Sequence, residues 1–318
     1  MRKLMFLALV LIGFVSCKSP NQEKVARTEI SLDSISIIPN WNDSQIINLE
    51  LIKTKTVTRN GATQSGSSTS NIELVLTKNE NNTWTGSWRI KDVQLPSVNN
   101  PLEKKLENLV TGFVYNFTLD STGTITGLVN WEEIQTKGFE ALNMIINEFK
   151  NVPTMSPQII EQIKMNVGEM FNTKEKIETY LMQEVQLYFA LGGIEMTKSD
   201  TIEGSAYITH PLTGDLIAQN IESIYQKAYS DSTCDIQISQ TIDESDLYDA
   251  VKNTVNKYAG EDKTNEFQNE MQNAKFDVKV TSNYNISLIT GLVEKVTALK
   301  EITVGGDTRI DKTEIIRK

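Results

Sequence analysis

One histidine, His210, is all the imidazole this 318-residue chain contains, and that scarcity closes off much chemistry. A multi-histidine metal centre cannot be built from it, and any Ser-His or Cys-His pair would rest on this residue alone. His210 precedes Pro211 and reads as an exposed turn residue. Cysteine is nearly as rare, with only Cys17 and Cys234. The sequence lacks a phosphate-cradling glycine loop, a nucleophile elbow and an HExxH helix. Gly306-Asp307-Thr308-Arg309-Ile310-Asp311 lacks the alternating oxygen ligands of a calcium loop. After residue 16, no apolar run approaches the roughly 20 residues that a membrane helix needs. Basic residues are in deficit, 31 against 41 acidic, for a formal charge of -10. Such a chain has no electrostatic footprint for nucleic acid, and none is expected as a partner.

What is present begins at the N-terminus. Met1-Arg2-Lys3 is basic, Leu4 to Val15 is apolar, and Ser16-Cys17 follows at once. A basic start, an apolar core and a small residue before the cut are the parts of a secretory signal. At 1.5 Å per residue the apolar run spans roughly 18 Å as a helix. A bilayer core is roughly 30 Å thick, so the run is too short for a permanent span. Residues 1–16 are therefore read as a signal peptide. Phe14-Val15-Ser16-Cys17 resembles the lipobox of bacterial lipoproteins, with Phe14 where Leu is usual and Val15 where Ala or Ser is usual. The resemblance implies that Cys17 is acylated and becomes the first mature residue, with residues 17–29 as a polar tether. Lys18 is not the aspartate that such sorting uses for inner-membrane retention, so the outer membrane is expected. With Cys17 acylated, Cys234 has no disulfide partner; its alternating surroundings make it a half-buried strand thiol.

Residues 30–318 read as one two-lobed α+β domain. An apolar fraction of 39% against 23% charged residues fits a folded chain rather than a disordered one. Residues 30–131 alternate like strands, as in Ile47/Leu49/Leu51, Ile72/Leu74/Leu76, Trp84/Gly86/Trp88/Ile90 and Phe113/Tyr115/Phe117/Leu119. Residues 60–70, rich in Gly, Ser and Thr, read as a flexible hairpin loop. The period turns helical over 132–193, in three stripes led by Ile134, by Ser156-Pro157 and by Ile177, the last ending at Gly192-Gly193. From 194 strands resume over 202–208, 216–229 and 233–242, with a helix after Asp243 and a last set of strands to about Val304. Thr-Gly recurs between strand-like runs at Thr122-Gly123, Thr213-Gly214 and Thr290-Gly291, each a hairpin glycine. The pattern predicts a curved antiparallel meander with helices inserted across one face. It resembles the half-barrel of periplasmic lipid and lipoprotein carriers.

No constellation compels catalysis. Glu132-Glu133 and Asp243-Glu244-Asp246 offer paired carboxylates, but both begin helices, where acids suit the dipole. The expectation is a non-catalytic, cofactor-free and metal-free envelope protein that binds an apolar or amphipathic ligand. The alternatives are a structural lipoprotein docking an envelope protein, or a carboxylate hydrolase. Trp84 and Trp88 share one strand face and are the candidate ligand platform, with sheet core as the competing reading. Four Asp-Ser/Thr turns resemble the O-glycosylation sites of some Gram-negative lipoproteins, which nominates Ser34, Ser121, Thr201 and Ser232.

Overall fold

The computed structural model describes residues 27–95, 104, 107–108, 110–150, 156–198, 200–209, 216–259, 276–304 and 306–318. Cys17, His210 and Thr213-Gly214 lie outside the described residues, as do the signal peptide and most of the tether.

In the N-terminal half the strands are β1 (Glu29–Ile30), β2 (Ser34–Ser36), β3 (Gln45–Arg59), β4 (Ala62–Lys78), β5 (Trp84–Gln94), β6 (Val114–Leu119) and β7 (Ile125–Leu128). Four helices follow: α1 (Trp131–Phe149), α2 (Pro157–Glu169), α3 (Lys174–Leu181) and α4 (Gln183–Phe189). Then come β8 (Glu195–Thr197), β9 (Thr201–Thr209), β10 (Leu216–Tyr229), β11 (Thr233–Ile242), α5 (Glu244–Ala259), β12 (Phe276–Ser287), β13 (Val293–Val304) and β14 (Asp307–Arg317). One antiparallel sheet runs in the order β1-β10-β11-β12-β13-β14-β3-β4-β5-β6-β7, with β9 also on β10. It is open, not a closed barrel. The helical expectation for 132–193 and the strands over 202–242 appear close to where the sequence puts them.

Three departures are instructive. Residues 60–70 are not a loop: the turn is only Asn60-Gly61, with φ of 48° and 77°, and β4 starts at Ala62. Threonines of β3 bond hydroxyls of β4 across the ladder, Thr54 to Ser67 at 3.2 Å, Thr56 to Ser65 at 3.1 Å and Thr58 to Thr63 at 3.0 Å. Polar composition therefore marks a solvated sheet face here, not slack chain. The third helical stripe is two helices, because Met182 leaves helical geometry with φ -100° and ψ 16°. Gln183 and Gln186 donate to the carbonyls of Thr179 and Glu178, which the break would otherwise orphan. Finally, the last strands do not stop near Val304. β14 runs on to Arg317 and pairs with both β13 and β3, so it joins the two halves into one sheet.

The sheet wraps around α4. Tyr188 stacks edge-on against Trp88 of β5 and donates its hydroxyl to the Val293 carbonyl of β13. Tyr284 of β12 donates to the Leu187 carbonyl. β5 and β13 are four strands apart, about 19 Å if flat at 4.8 Å per strand. A helix only about 10–12 Å across touches both, so the sheet is curved. Ile177, Met182, Val185, Tyr188 and Phe189 fill the concavity against Leu49, Leu74, Trp88, Phe117 and Tyr284. α1 and α2 form a separate hairpin with their own small core of Leu142, Ile146, Phe149 and Ile160. α5 packs on β10 and β12 with Leu247, Val251 and Val255. Among the described residues no helix is long and apolar enough to cross a membrane.

Cys234 is fully buried (0% exposed) rather than half-buried. Burial, and then Asp235, pushes its thiol from 9.0 up to about 12. The folded state keeps this proton while the unfolded thiol loses it. Stability is therefore undiminished below about pH 9 and falls as pH rises toward 12. Half-buried Tyr115 and buried Tyr188 and Tyr284 act in the same direction. The expected outcome is no native reaction of Cys234 with a thiol reagent at pH 8, full reaction in urea, and a urea midpoint that drops above pH 9. Rapid labelling of the folded protein would contradict the burial.

Candidate functional site: the open half of the concave face

The concavity has two unlike ends. At one end the turn at 230–232, the loop 288–292 and Arg27 come together, Arg27 pairing with Asp231. Here residues 31–41 cross the end of the sheet as a plug. Ile37 exchanges backbone bonds with Gly193 and Ile194, and Asn40 bonds Thr290. The plug's own Ile35, Ile37 and Trp41 side chains are buried. The plug explains two of the recurring Thr-Gly pairs. Gly123 (φ +84°) lies against Pro39 and Trp41, and Gly291 (φ +71°) lies against the Ile38 carbonyl. Both are hairpin glycines, as the sequence predicts, and both are also the points where another chain segment touches backbone.

Trp84 and Trp88 belong to this closed half. They are 4% and 2% exposed, Trp84 against Trp41 at 5.1 Å between ring centroids and Trp88 under Tyr188. They are core, with no face turned to a ligand. The void beside Trp41, Tyr188, Phe189 and Gly291 measures about 10 Å³, whereas ligand pockets are ~300–1,000 Å³.

Toward the other end, where β3 turns into β4 and β13 into β14, the same inner face becomes polar and open. On β3 the alternation that buries Ile47, Leu49 and Leu51 continues through Lys53, Lys55, Val57 and Arg59. Lys53 pairs with Glu184 in the first turn of α4, which marks the boundary. On β14 the inward positions are Arg309, Asp311, Thr313 and the buried Ile315. On β13 they are Val296, Ala298 and Lys300. Strand register places Asp311 directly opposite Lys55 on one side and Lys300 on the other. Arg309 holds Asp311 in a two-point pair, Nη2 to Oδ2 at 2.7 Å and Nε to Oδ1 at 3.0 Å. Burial, then the Arg309 guanidinium, lowers the pKa of Lys55; burial lowers that of Lys300, with Asp311 opposing in both.

Sequence reasoning missed this cluster. Arg309 and Asp311 enter it only as a failed calcium loop, and Lys53, Lys55 and Lys300 do not enter it at all. The available signal was period two: Lys53/Lys55 and Arg309/Asp311 each sit two apart, in phase with buried Leu51 and Ile315.

The carboxylate pairs lie elsewhere. Glu133 accepts from Lys137 and Asn130, which lower its pKa. Asp243 accepts from Ser245 and Asp246 at the start of α5 and is also lowered. A general acid needs the opposite shift. Among the described residues no group of three or more His, Cys, Asp or Glu is gathered as for a metal. Ser34, Ser121 and Thr201 are exposed and Ser232 is partly so. Asp120 and Asp231 cap their own turns, each accepting from the backbone and hydroxyl of the residue two ahead.

No family model and no curated protein matches the chain. Among solved structures, a lipovitellin structure concerned with lipid–protein interactions shares 9% identity at a TM-score of 0.39. That match covers 87% of this chain but only 25% of that one, so the chain spans about a quarter of it. DynF from the dynemicin biosynthesis pathway of Micromonospora chersina shares 6% identity at a TM-score of 0.20, covering 94% and 92% of the two chains. An outer membrane channel from Pseudomonas putida F1 shares 8% at 0.14, covering 88% and 98%. Likeness at these scores fixes neither family nor function.

Proposed function

We propose that this is an exported, lipid-anchored binding protein of the cell envelope, non-catalytic, whose open half of the concave face takes an amphipathic ligand. The observation that carries the reading is the division of one inner face into a filled apolar half and an open, charged half. A wholly apolar ligand would need a dry pocket, and the void beside Trp41, Tyr188 and Phe189 is about 10 Å³. An amphipathic ligand can instead lay its polar group on Lys55, Lys300 and Arg309 while its apolar part meets the flanking β-strand and α5 side chains. Cys17, placed directly after the signal run, is the acyl acceptor in this reading. Arg27 enters the fold at the plugged end, so the open end is the one presented away from the anchor. Ser34, Ser121, Thr201 and Ser232 are available for O-glycosylation on outward turns and edges.

The test uses the full chain in a Gram-negative host fed an alkyne-bearing palmitate. The wild type is expected to carry the label and fractionate with membranes, and Cys17→Ala to do neither. Native mass spectrometry of the extracted protein is expected to show a defined adduct beyond the anchor. A label with a clean protein mass would leave the tether and turn the function toward docking an envelope protein. An unlabelled wild type would overturn the anchor.

A further inference from the structure

We infer that the plugged end of the domain is a membrane contact, its exposed isoleucines resting in the headgroup boundary of the bilayer that holds the anchor. The inference rests on the reading of Cys17 as the acyl acceptor and adds a second, non-covalent contact to it.

Single apolar residues scattered over a surface are ordinary, and only their gathering carries meaning. Among the described residues eight large apolar side chains are exposed, and four of them belong to this end. Ile38 on the plug is 59% exposed and Ile289 on the 288–292 loop is 62% exposed. The two segments touch. Asn40 donates its side-chain amide to the Ile289 carbonyl and its backbone amide to the Thr290 carbonyl, each at 3.1 Å. Ile30 in β1 and Ile46 at the start of β3 flank the pair and are exposed as well.

The tip that carries Ile289 is built to leave water. A backbone group that enters a membrane without a partner is costly, so such a loop must satisfy its own groups. Here the Ser287 amide donates to the Leu292 carbonyl, that of Leu288 to Ser232, and that of Gly291 to Ser287. The Thr290 amide donates to the Ser287 hydroxyl, and the Leu292 amide to the Thr290 hydroxyl. Pro39, beside Ile38, brings no amide that would need a partner. The tip therefore offers an isoleucine side chain on a braced turn.

Position decides the occupant. Ten residues lead from Cys17 to Arg27, a reach of at most about 35 Å when fully extended. Arg27 pairs with Asp231, whose turn bonds Leu288, so the chain enters beside the Ile289 loop. The anchor holds these isoleucines near the bilayer at high effective concentration, and contacts too weak to recruit a free protein are then enough. The 15-residue β3 carries the chain to the opposite end, about 50 Å away. A net charge of -10 gives an anionic surface no attraction, so apolar side chains and not charge make the contact.

The test uses the full chain, acylated in a host fed alkyne-bearing palmitate and reconstituted on phosphatidylcholine vesicles that contain a spin-labelled lipid. An environment-sensitive fluorophore is attached at Ile289→Cys, or at Asn60→Cys as the open-end control. Both positions are exposed, and Cys234 is sealed. Quenching at 289 is expected to be several-fold stronger than at 60 and to persist at high salt, where charge contacts are screened. Adding Ile38→Asn is expected to weaken it about twofold, by removing one of the two leading apolar contacts, with the urea midpoint unchanged. A palmitate-labelled chain on the vesicles with both positions unquenched keeps the anchor, overturns the membrane contact and turns the isoleucines toward a protein partner. Stronger quenching at 60 than at 289 places the other end on the bilayer and overturns it too. Quenching that disappears at high salt overturns the apolar basis of the contact. A chain without the palmitate label overturns the anchor, and this contact with it.

Discussion

Gly291→Ala is expected to cost about 2–5 kcal/mol of folding stability, combining a left-handed backbone penalty with overpacking. The first contribution follows from φ of +71°, where a side chain crowds the following carbonyl. The second is specific to the plug: an added Cβ would lie 2.6 Å from the Ile38 carbonyl oxygen and 3.0 Å from its carbon. Both contacts are backbone, so neither can swing away as the tip of a side chain could. Residues 37–40 would have to lift, straining the bonds from Asn40 to Thr290 and from Gly193 to Ile37. Gly61→Ala supplies the control. Its φ is +77°, nearly the same, but an added Cβ there meets nothing within 4 Å. That variant should lose only the conformational part, about 1–2 kcal/mol. Urea denaturation of the pair isolates the packing of the plug. Equal losses would mean that the plug does not press on the 288–292 turn.

Trp88→Ala is expected to cost about 3–5 kcal/mol, the range for emptying a large aromatic from a core. Its ring is 2% exposed and lies edge-on to Tyr188, the residue that links α4 to both sides of the curved sheet. Losing Trp88 leaves Tyr188 unsupported on the β5 side and opens a cavity at the centre of the closed half. A shorter aromatic, Trp88→Phe, should recover part of the loss. If the ring were instead a ligand platform, stability would barely change and binding would fail. The urea midpoint and the native-mass adduct together decide between the two, and a loss under about 1 kcal/mol would contradict core packing.

Much of this architecture was legible along the chain. The alternation of Ile72/Leu74/Leu76 and Trp84/Trp88 marks the inner face because a strand turns successive side chains to opposite sides. Ser156-Pro157 and Gly192-Gly193 punctuate the helical insert because of local backbone preferences that need no partner. Where the sequence misled, local composition was answering a tertiary question. Residues 62–70 look like loop because Ser and Thr are common in loops. Here they pair with Thr54, Thr56 and Thr58 on a face that stays wet. β14 carries few apolar residues because only Ile315 of its inward positions reaches the apolar half.

The sequence by itself determined the alternation of strands, the helical insert, the hairpin glycines, the negative net charge and the placing of Cys17 behind an apolar run. These are properties of neighbouring residues, set by side-chain period and backbone freedom. Tertiary structure alone decided that Thr122-Gly123 and Thr290-Gly291 meet one plug, that Trp84 and Trp88 are sealed, and that Lys55, Lys300 and Arg309 surround Asp311. Lys55 and Lys300 are 245 positions apart in the chain. What brings them together is the register of β14 between β3 and β13, a pairing fixed by burying Ile315, Leu51 and Val296 at its other end.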